Sequence, residues 1–155
     1  MGVRLTEDEI DEFLGKGHTL IVSTLRKLGE PFMTPLWYVW MDGAFWIRTG
    51  AKSPKAAHIR RDPRVCCIVE EGEAWVDLRA VIANCLAEFV EDQAQQACFE
   101  EALTAKYAAF RMDRGAVPSA TQKHYSASRA YIRMKPRPGE LRSWYNRKIR
   151  MQPAG

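Results

Sequence analysis

The dipeptide Asp42–Gly43, which lies between two apolar segments, constrains the fold more than any other feature of the sequence. Asp-Gly in such a setting favours a two-residue turn, because both turn residues adopt positive φ. The segment 32–40 before it and the segment 44–49 after it are rich in aromatic and β-branched side chains. We therefore predict an antiparallel hairpin with strands at 32–40 and 44–49.

Further short apolar segments, bounded by Gly, Pro or Asp, extend this pattern along the chain. Additional strands are predicted at 18–25, 64–69, 128–134 and 141–145, and the segment 74–90 forms two strands or one strand bent near Asn84. Helices are predicted to begin at Thr6, Ser53 and Asp92, and the last two end near residues 62 and 110. The fold class is therefore mainly β: an antiparallel β-barrel of six to seven strands with peripheral helices.

Length and composition are those of one folded domain. The chain has 155 residues, of which 46% are hydrophobic and 27% charged, a balance typical of a globular core rather than of disorder. We expect one domain over 1–155, with a capping helix in 1–17 and a frayed tail at 147–155. No stretch approaches the ~18 apolar residues of a membrane span, and residues 1–12 carry no signal-peptide core. The expected location is the cytoplasm.

Cysteines and histidines give no sign of a metal centre. The sequence contains no Cys-x-x-Cys, and adjacent Cys66 and Cys67 point to opposite faces of a strand. The three histidines are scattered without an acidic partner at a telling spacing. We expect no metal site and assign no catalytic residue. The net charge of +4 favours an anionic partner without identifying it.

The segment 48–55 carries the residues best suited to bind a phosphate ester. A predicted strand ends in Arg48 and Thr49, a glycine loop follows, and a helix begins at Ser53. The free amides at a helix N-terminus attract anions, and Lys52 and Lys55 add positive charge. A capped helix with solvated lysines explains the same residues, so composition leaves both interpretations open.

A second group of candidate residues lies in the predicted strand 32–40. If this strand forms the Asp42–Gly43 hairpin, Thr34 and Pro35 lie across from the end of strand 44–49. Thr34 then offers polar groups to the edge of a planar ring, and Trp37 offers an aromatic wall. Ordinary packing in the barrel core is the alternative interpretation of Trp37.

These motifs together resemble the FMN-binding split-barrel superfamily, which includes pyridoxamine 5′-phosphate oxidase and the flavin/deazaflavin oxidoreductases. The resemblance covers residues 5–92 and depends on the order of the motifs. That order is a capping helix, a strand, Gly-Glu-Pro, Thr-Pro-x-Trp, Asp-Gly, Lys-x-x-Lys and His-Ile-Arg-Arg-Asp-Pro-Arg-Val. The stretch 52–65 is its most specific part.

The resemblance implies a set of cofactor-binding residues. Ser53 and Lys55 would hold the cofactor phosphate, and the residues close to them are Arg48, Thr49 and Lys52. Met33, Thr34 and Pro35 would belong to the strand that runs along the isoalloxazine ring, with Trp37 beside them. Many relatives have Arg where this chain has Pro54, so Arg48 or Lys52 would replace that arginine. The family places its flavin at a homodimer interface.

The expected function is that of an FMN-dependent oxidoreductase that transfers hydride to or from a small organic substrate. A reductase dependent on the deazaflavin coenzyme 420 is the first alternative. A protein that binds a flavin or haem without catalysis is the second. The basic segment 142–150 contains Trp144 and Tyr145 and is compatible with nucleic-acid binding, which ranks last.

Overall fold

A sheet of seven strands forms the centre of the part of the chain that the structure describes. The computed structural model describes residues 3–126 and 128–149. The strands are β1 (Leu20–Leu25), β2 (Pro31–Leu36), β3 (Val39–Met41), β4 (Ala44–Gly50), β5 (Arg64–Glu71), β6 (Arg79–Phe89) and β7 (Arg129–Tyr145). Their order in the sheet is β2-β1-β5-β6-β7-β4-β3, and every pair is antiparallel. The two edge strands, β2 and β3, are neighbours in sequence, so the sheet curls into a half-barrel, which confirms the predicted class.

Four helices lie around this sheet in the described residues. They are α1 (Glu7–Lys16), α2 (Pro54–Arg61), α3 (Gln93–Tyr107) and α4 (Ser119–Ser126). Short 3-10 turns occupy Trp75–Asp77, Ala108–Phe110, Arg114–Ala116 and Asn146–Lys148. In the described part of the chain, no helix has the length and apolar character needed to cross a bilayer. The predicted frayed tail lies outside the described residues from Arg150 onward.

Side-chain caps confirm the predicted helix starts. The Thr6 hydroxyl accepts a hydrogen bond from the Glu9 amide, and the Glu9 carboxylate accepts one from the Thr6 amide. The Ser53 hydroxyl caps α2, and the Asp92 carboxylate caps α3. The predicted third helix ends earlier than residue 110, because a 3-10 turn follows Tyr107.

The Asp42–Gly43 turn is confirmed, but its first strand is shorter than predicted. Both turn residues have positive φ, 54° and 67°, and the turn joins β3 to β4. The segment 32–40 is divided between β2 and β3, and β2 pairs with β1, where Thr34 lies opposite Val22. The expectation that Thr34 and Pro35 lie across from the end of β4 was therefore wrong.

Contacts from two helices explain why the strand is interrupted at Trp37 and Tyr38. The Trp37 ring stacks on Tyr107 of α3, with ring centroids 4.4 Å apart. The Tyr38 hydroxyl donates to the carbonyl of Leu14 in α1 at 2.5 Å. A Cβ on Gly17 would lie 2.6 Å from this hydroxyl, which explains the glycine there. These two aromatic residues therefore leave the ladder to pack against helices.

β6 and β7 are two long antiparallel strands whose pairing is interrupted at one point. The segment 74–90 forms a single strand after a 3-10 turn, and its register with β7 shifts between Ala83 and Cys85, at the position where a bend was predicted. The extra residues of this irregularity lie in β7. The segments predicted as separate strands at 128–134 and 141–145 belong to one strand, β7. That prediction was wrong because residues 137–140 lie opposite Asn84 alone, so pairing resumes after them.

The two faces of β4 are buried in two different hydrophobic clusters. Phe45 and Ile47 point into the half-barrel, whereas Ala44 and Trp46 pack against α3 on the outer face. The Trp46 ring stacks on Phe99 with centroids 6.3 Å apart. Burying a side chain of this size contributes about 1.5–3 kcal/mol. Packing on both faces therefore holds β4 in place, and β4 is the strand that leads to the candidate site.

Candidate functional site

The loop between β4 and α2, residues 50–53, is held in place by backbone hydrogen bonds; we call it the Gly50 loop. The Ala51 amide donates to the carbonyl of Ser128 at 2.9 Å, and the Ser53 amide donates to that of Gly50 at 2.9 Å. The Arg60 guanidinium donates to the Ala51 carbonyl at 2.8 Å. The loop is therefore tied to the start of β7 and to α2.

The start of α2 offers polar groups beside this loop. The Ser53 hydroxyl accepts from the Ala56 amide at 3.2 Å and lies 3.1 Å from the Thr49 hydroxyl. Pro54 has no amide hydrogen, and the Lys55 amide has no acceptor among the described residues. An open amide at a helix N-terminus is a favourable position for an anion.

Two lysines add positive charge that no carboxylate offsets within the described chain. Lys52 is exposed and Lys55 is half-buried, and neither forms an ion pair with a described residue. Burial lowers the pKa of Lys55, because a desolvated ammonium is less stable. Both lysines belong to the same loop and helix start as Ser53, whose hydroxyl lies beside that of Thr49.

Arg48 lies on the opposite face of β4 from Thr49. Alternation along the strand directs Thr49 toward Ser53 and Arg48 toward α3, where both carboxylate oxygens of Glu100 accept from its guanidinium. The hydroxyl of Tyr131 donates to the same carboxylate at 3.0 Å. Burial alone would raise the pKa of Glu100, but the hydrogen bonds from Arg48 and Tyr131 outweigh it and hold that pKa below its ordinary value.

β2 presents a different surface, at the edge of the sheet. Met33 and Pro35 are exposed, and Phe32, Thr34 and Leu36 alternate with them and are half-buried. The buried hydroxyl oxygen of Thr34 has no hydrogen-bond partner among the described residues. Alternate backbone groups of an edge strand face away from their neighbour, and proline is tolerated there because no ladder donor is needed.

One face of the Trp37 ring is covered by a packing contact with α3. Its ring lies parallel to that of Tyr107, with an angle of 7° between the planes, and the His18 ring is 6.5 Å away edge-on. The side chain is half-buried at the end of β2. Trp37 therefore borders the β2 surface, with one ring face covered by α3.

Sequence reasoning missed the partners of Arg48. Glu100 lies 52 positions further along the chain, and Tyr131 and Arg129 come from β7. No local motif connects these residues. The alternation of faces along β4 was a signal that could have separated Arg48 from Thr49, but the prediction grouped the two residues together.

The described histidines and acidic residues do not add a metal site. His58 lies in α2 with its Nδ1 atom 2.9 Å from the Thr24 hydroxyl, and burial, with the charges of Arg61 and Arg26, lowers its pKa. Within residues 3–126 and 128–149, no three His, Cys, Asp or Glu side chains are grouped as metal ligands.

Comparison with known families identifies the chain. The family model for pyridoxamine 5′-phosphate oxidase matches residues 6–143. This protein belongs to the pyridoxamine 5′-phosphate oxidase family. The match includes β2, the Gly50 loop and α3, and it confirms the resemblance based on residues 5–92.

Solved structures agree with this family and fold. A conserved hypothetical protein from Mycobacterium tuberculosis is 30% identical with a TM-score of 0.79, and the match covers 99% of this chain and 95% of that one. An FAD-binding protein from Mesorhizobium loti is 18% identical with a TM-score of 0.69, covering 92% and 97%. A protein described as an F420 reductase is 20% identical with a TM-score of 0.62, covering 84% and 94%. Among curated protein sequences, none matches this member of the pyridoxamine 5′-phosphate oxidase family.

Proposed function

We propose that this member of the pyridoxamine 5′-phosphate oxidase family binds FMN and works as an oxidoreductase. The observation that carries the proposal is the uncompensated positive charge at the Gly50 loop, where Lys52 and Lys55 have no described carboxylate partner. A phosphate ester would supply the missing negative charge. The unpaired amide of Lys55 supports the same assignment.

In this proposal the phosphate is bound by side chains from both ends of the loop. Lys55 and Lys52 provide charge-assisted hydrogen bonds, and the hydroxyls of Ser53 and Thr49 provide further donors. The 3.1 Å contact between these hydroxyls supports their acting together. Arg48 lies on the outer face of β4 with its charge balanced by Glu100, so in this proposal Lys52 takes the place of the arginine that many relatives have.

The isoalloxazine ring would lie along β2. The exposed side chains of Met33 and Pro35 would cover one face of the ring, and the edge-strand backbone around Thr34 would bond its polar rim. Trp37 would border the ring where β2 ends.

When bound, the flavin supplies the hydride chemistry, and the protein supplies binding, orientation and electrostatics. Lys55 and Ser53 would fix the phosphate end, and residues 33–35 would orient the ring plane. The residues of β2 would exclude water from the covered face. No side chain of this chain is assigned a covalent or acid–base role.

A second copy of the chain would complete the site in a homodimer. The unpaired edge of β2 and its exposed Met33, which is 61% accessible, support a surface that a partner covers in the assembled protein. Since Met33 belongs to the proposed ring surface, a partner seated there would contact the cofactor. All four cysteines are free thiols, which supports a reducing, cytoplasmic location.

The deazaflavin coenzyme 420 is the alternative cofactor. It shares a tricyclic ring and a phosphate with FMN and adds a polyglutamate tail. The exposed ammonium of Lys52 beside the loop favours it, since that cation has no described partner and would attract an acidic tail.

Titration of the purified protein with FMN and with coenzyme 420 tests the proposal. We expect the protein to carry flavin absorbance, or to quench added FMN fluorescence at a one-to-one ratio per chain. Oxidation of a reduced substrate from a panel would then demonstrate catalysis. Stronger binding of coenzyme 420 would select the alternative cofactor.

Two outcomes would contradict parts of this proposal. Absence of binding to either cofactor would remove the flavin assignment. Stoichiometric binding without turnover across the panel would leave a binding protein and would contradict the assignment as an oxidoreductase.

A further inference from the structure

The carboxylate of Glu100 connects one helix to two strands. Both of its oxygens accept from Arg48 of β4, and one of them accepts from the Tyr131 hydroxyl of β7 at 3.0 Å. A second arginine, Arg129 of β7, lies 3.7 Å from the same oxygen. Three side chains from two strands thus meet one carboxylate of α3, and we call these four residues the Glu100 cluster.

The strand register explains why these groups converge. Arg48 pairs with Tyr131 across β4 and β7, and Gly50 pairs with Arg129 two residues further. Residues at these positions share the outer face of the sheet, which α3 covers. Glu100 itself follows Phe99, whose ring is fully buried against Trp46. The carboxylate is therefore fixed in position by the helix packing.

The same two strand ends carry the Gly50 loop. Gly50 is the last residue of β4 and pairs with Arg129, and the Ala51 amide continues the pairing to the carbonyl of Ser128. The loop therefore depends on how β4 and β7 are held together at this end. The Glu100 cluster is the described set of side chains that joins both strands there to a helix.

We infer that Glu100 is a positioning residue for the Gly50 loop: by binding Arg48, Tyr131 and Arg129 together, it fixes the strand ends between which the phosphate-binding loop lies. The inference rests on the proposed function, because an effect on cofactor affinity requires that the Gly50 loop bind the cofactor phosphate. Glu100 lies on the opposite face of β4 from Ser53, so it acts through the strands and not by contact with the phosphate.

Partial burial makes the cluster strong enough for this role. The side chains of Arg48 and Glu100 are 23% and 28% exposed, so water screens their attraction less than it screens a surface pair. Glu100→Gln keeps the shape of the side chain but removes the charge and one of the acceptor oxygens. The substitution should therefore loosen the strand ends without creating a cavity.

Amide hydrogen exchange tests the positioning role without any cofactor. We expect Glu100→Gln to raise the exchange rates of the Ala51 and Ser53 amides by about tenfold, since local opening of the loop becomes easier. The matched control is Glu101→Gln, which changes the exposed neighbour on the same helix. Equal exchange at these amides in both variants would overturn the inference.

Cofactor titration supplies a second readout that general destabilisation would not produce. We expect Glu100→Gln to weaken FMN binding by about tenfold and to leave binding of riboflavin, which lacks the phosphate, within about twofold. Equal weakening of both ligands, or tighter FMN binding, would overturn the role. Wild-type protein that binds neither ligand would contradict the proposed function, and hydrogen exchange would still test the positioning role.

Tyr131→Phe provides the test if Glu100→Gln does not fold. This variant removes only the hydroxyl that donates to Glu100 at 3.0 Å. It should raise exchange at Ala51 and Ser53 in the same direction by a smaller factor. No change at either amide in Tyr131→Phe would then count against the inference.

Discussion

At the end of β4, positive charge is neutralised by a carboxylate on one face of the strand and is not neutralised on the other. On the outer face, Arg48 is bound by both oxygens of Glu100 and the same carboxylate accepts from Tyr131. On the inner side, the Gly50 loop carries Lys52 and Lys55 with no described carboxylate beside them. One face has its charges balanced within the chain, and the other does not.

This difference separates structural cations from candidate binding cations. A cation paired inside the fold gains little from an added anion, because its charge is already compensated. A half-buried cation without a partner carries a desolvation cost that a ligand anion would offset. The balanced pair thus belongs to the framework, and the unbalanced lysines belong to the proposed site.

Lys106 of α3 refines this comparison, because it is also half-buried and has no hydrogen-bond partner among the described residues. Its ammonium lies 3.9 Å from the centroid of the Tyr38 ring and 5.4 Å from that of Tyr107. The aromatic faces stabilise the cation by cation–π attraction. Lys55 has no such contact with a described ring, which leaves its charge available to a ligand.

The largest expected effect concerns the outer face of β4, against which α3 packs. Phe99→Ala should lower the free energy of unfolding by about 3–5 kcal/mol, because it leaves a cavity between α3 and Trp46. Phe110→Ala is the matched control, since that ring is 59% exposed, and it should cost less than about 1 kcal/mol. Urea unfolding measures both. Equal losses would contradict the assignment of the outer face to stability.

The second prediction tests the binding face. Lys55→Ala should weaken FMN binding by about 1.5–3 kcal/mol, the range of a charge-assisted hydrogen bond, and should change the free energy of unfolding by less than about 0.5 kcal/mol. Lys135→Ala removes an exposed lysine from β7 and serves as the control. Fluorescence titration gives the affinities. Unchanged affinity in Lys55→Ala would remove this lysine from the phosphate site.

The smallest effect concerns pH and Lys106. Burial lowers the pKa of Lys106 to about 8, below its ordinary value of 10.5. Between these values the unfolded chain binds more protons, so this group makes the protein more stable as pH rises. Relative to Lys106→Met, the wild type should gain on the order of 1 kcal/mol between pH 7 and 10, after allowance for solvent screening.

Urea unfolding of both proteins across this pH range measures the effect, and the difference between them cancels contributions from thiols and phenols. A difference that stays constant from pH 7 to 10 would show that the Lys106 ammonium is not destabilised by burial.

Local signals in the sequence predicted much of the fold. The Asp42–Gly43 turn and the Ser53 and Asp92 caps each depend on one or two residues and their neighbours, and all are present in the structure. The pattern of apolar segments and turns predicted the antiparallel barrel class, and the family resemblance specified a split barrel. Such features are predictable because their physical causes lie within a few residues of the chain.

Long-range packing determined what the sequence did not reveal. The end of β2 at Leu36 depends on contacts of Trp37 with Tyr107 and of Tyr38 with Leu14, residues far away in sequence. The pairing of Arg48 with Glu100 likewise depends on where α3 packs. For the candidate site, the motif was enough to predict the residues of the Gly50 loop. Only the structure of the sheet shows that Arg48 lies on the opposite face of β4 from them.

The affinity ratio of wild-type protein for FMN and riboflavin tests the central claim most directly. The two ligands differ in the phosphate alone, so the ratio isolates what the Gly50 loop contributes. If Lys55 and Ser53 bind the phosphate, FMN should bind about 10- to 150-fold more tightly than riboflavin. Equal affinities would contradict a phosphate site at the start of α2.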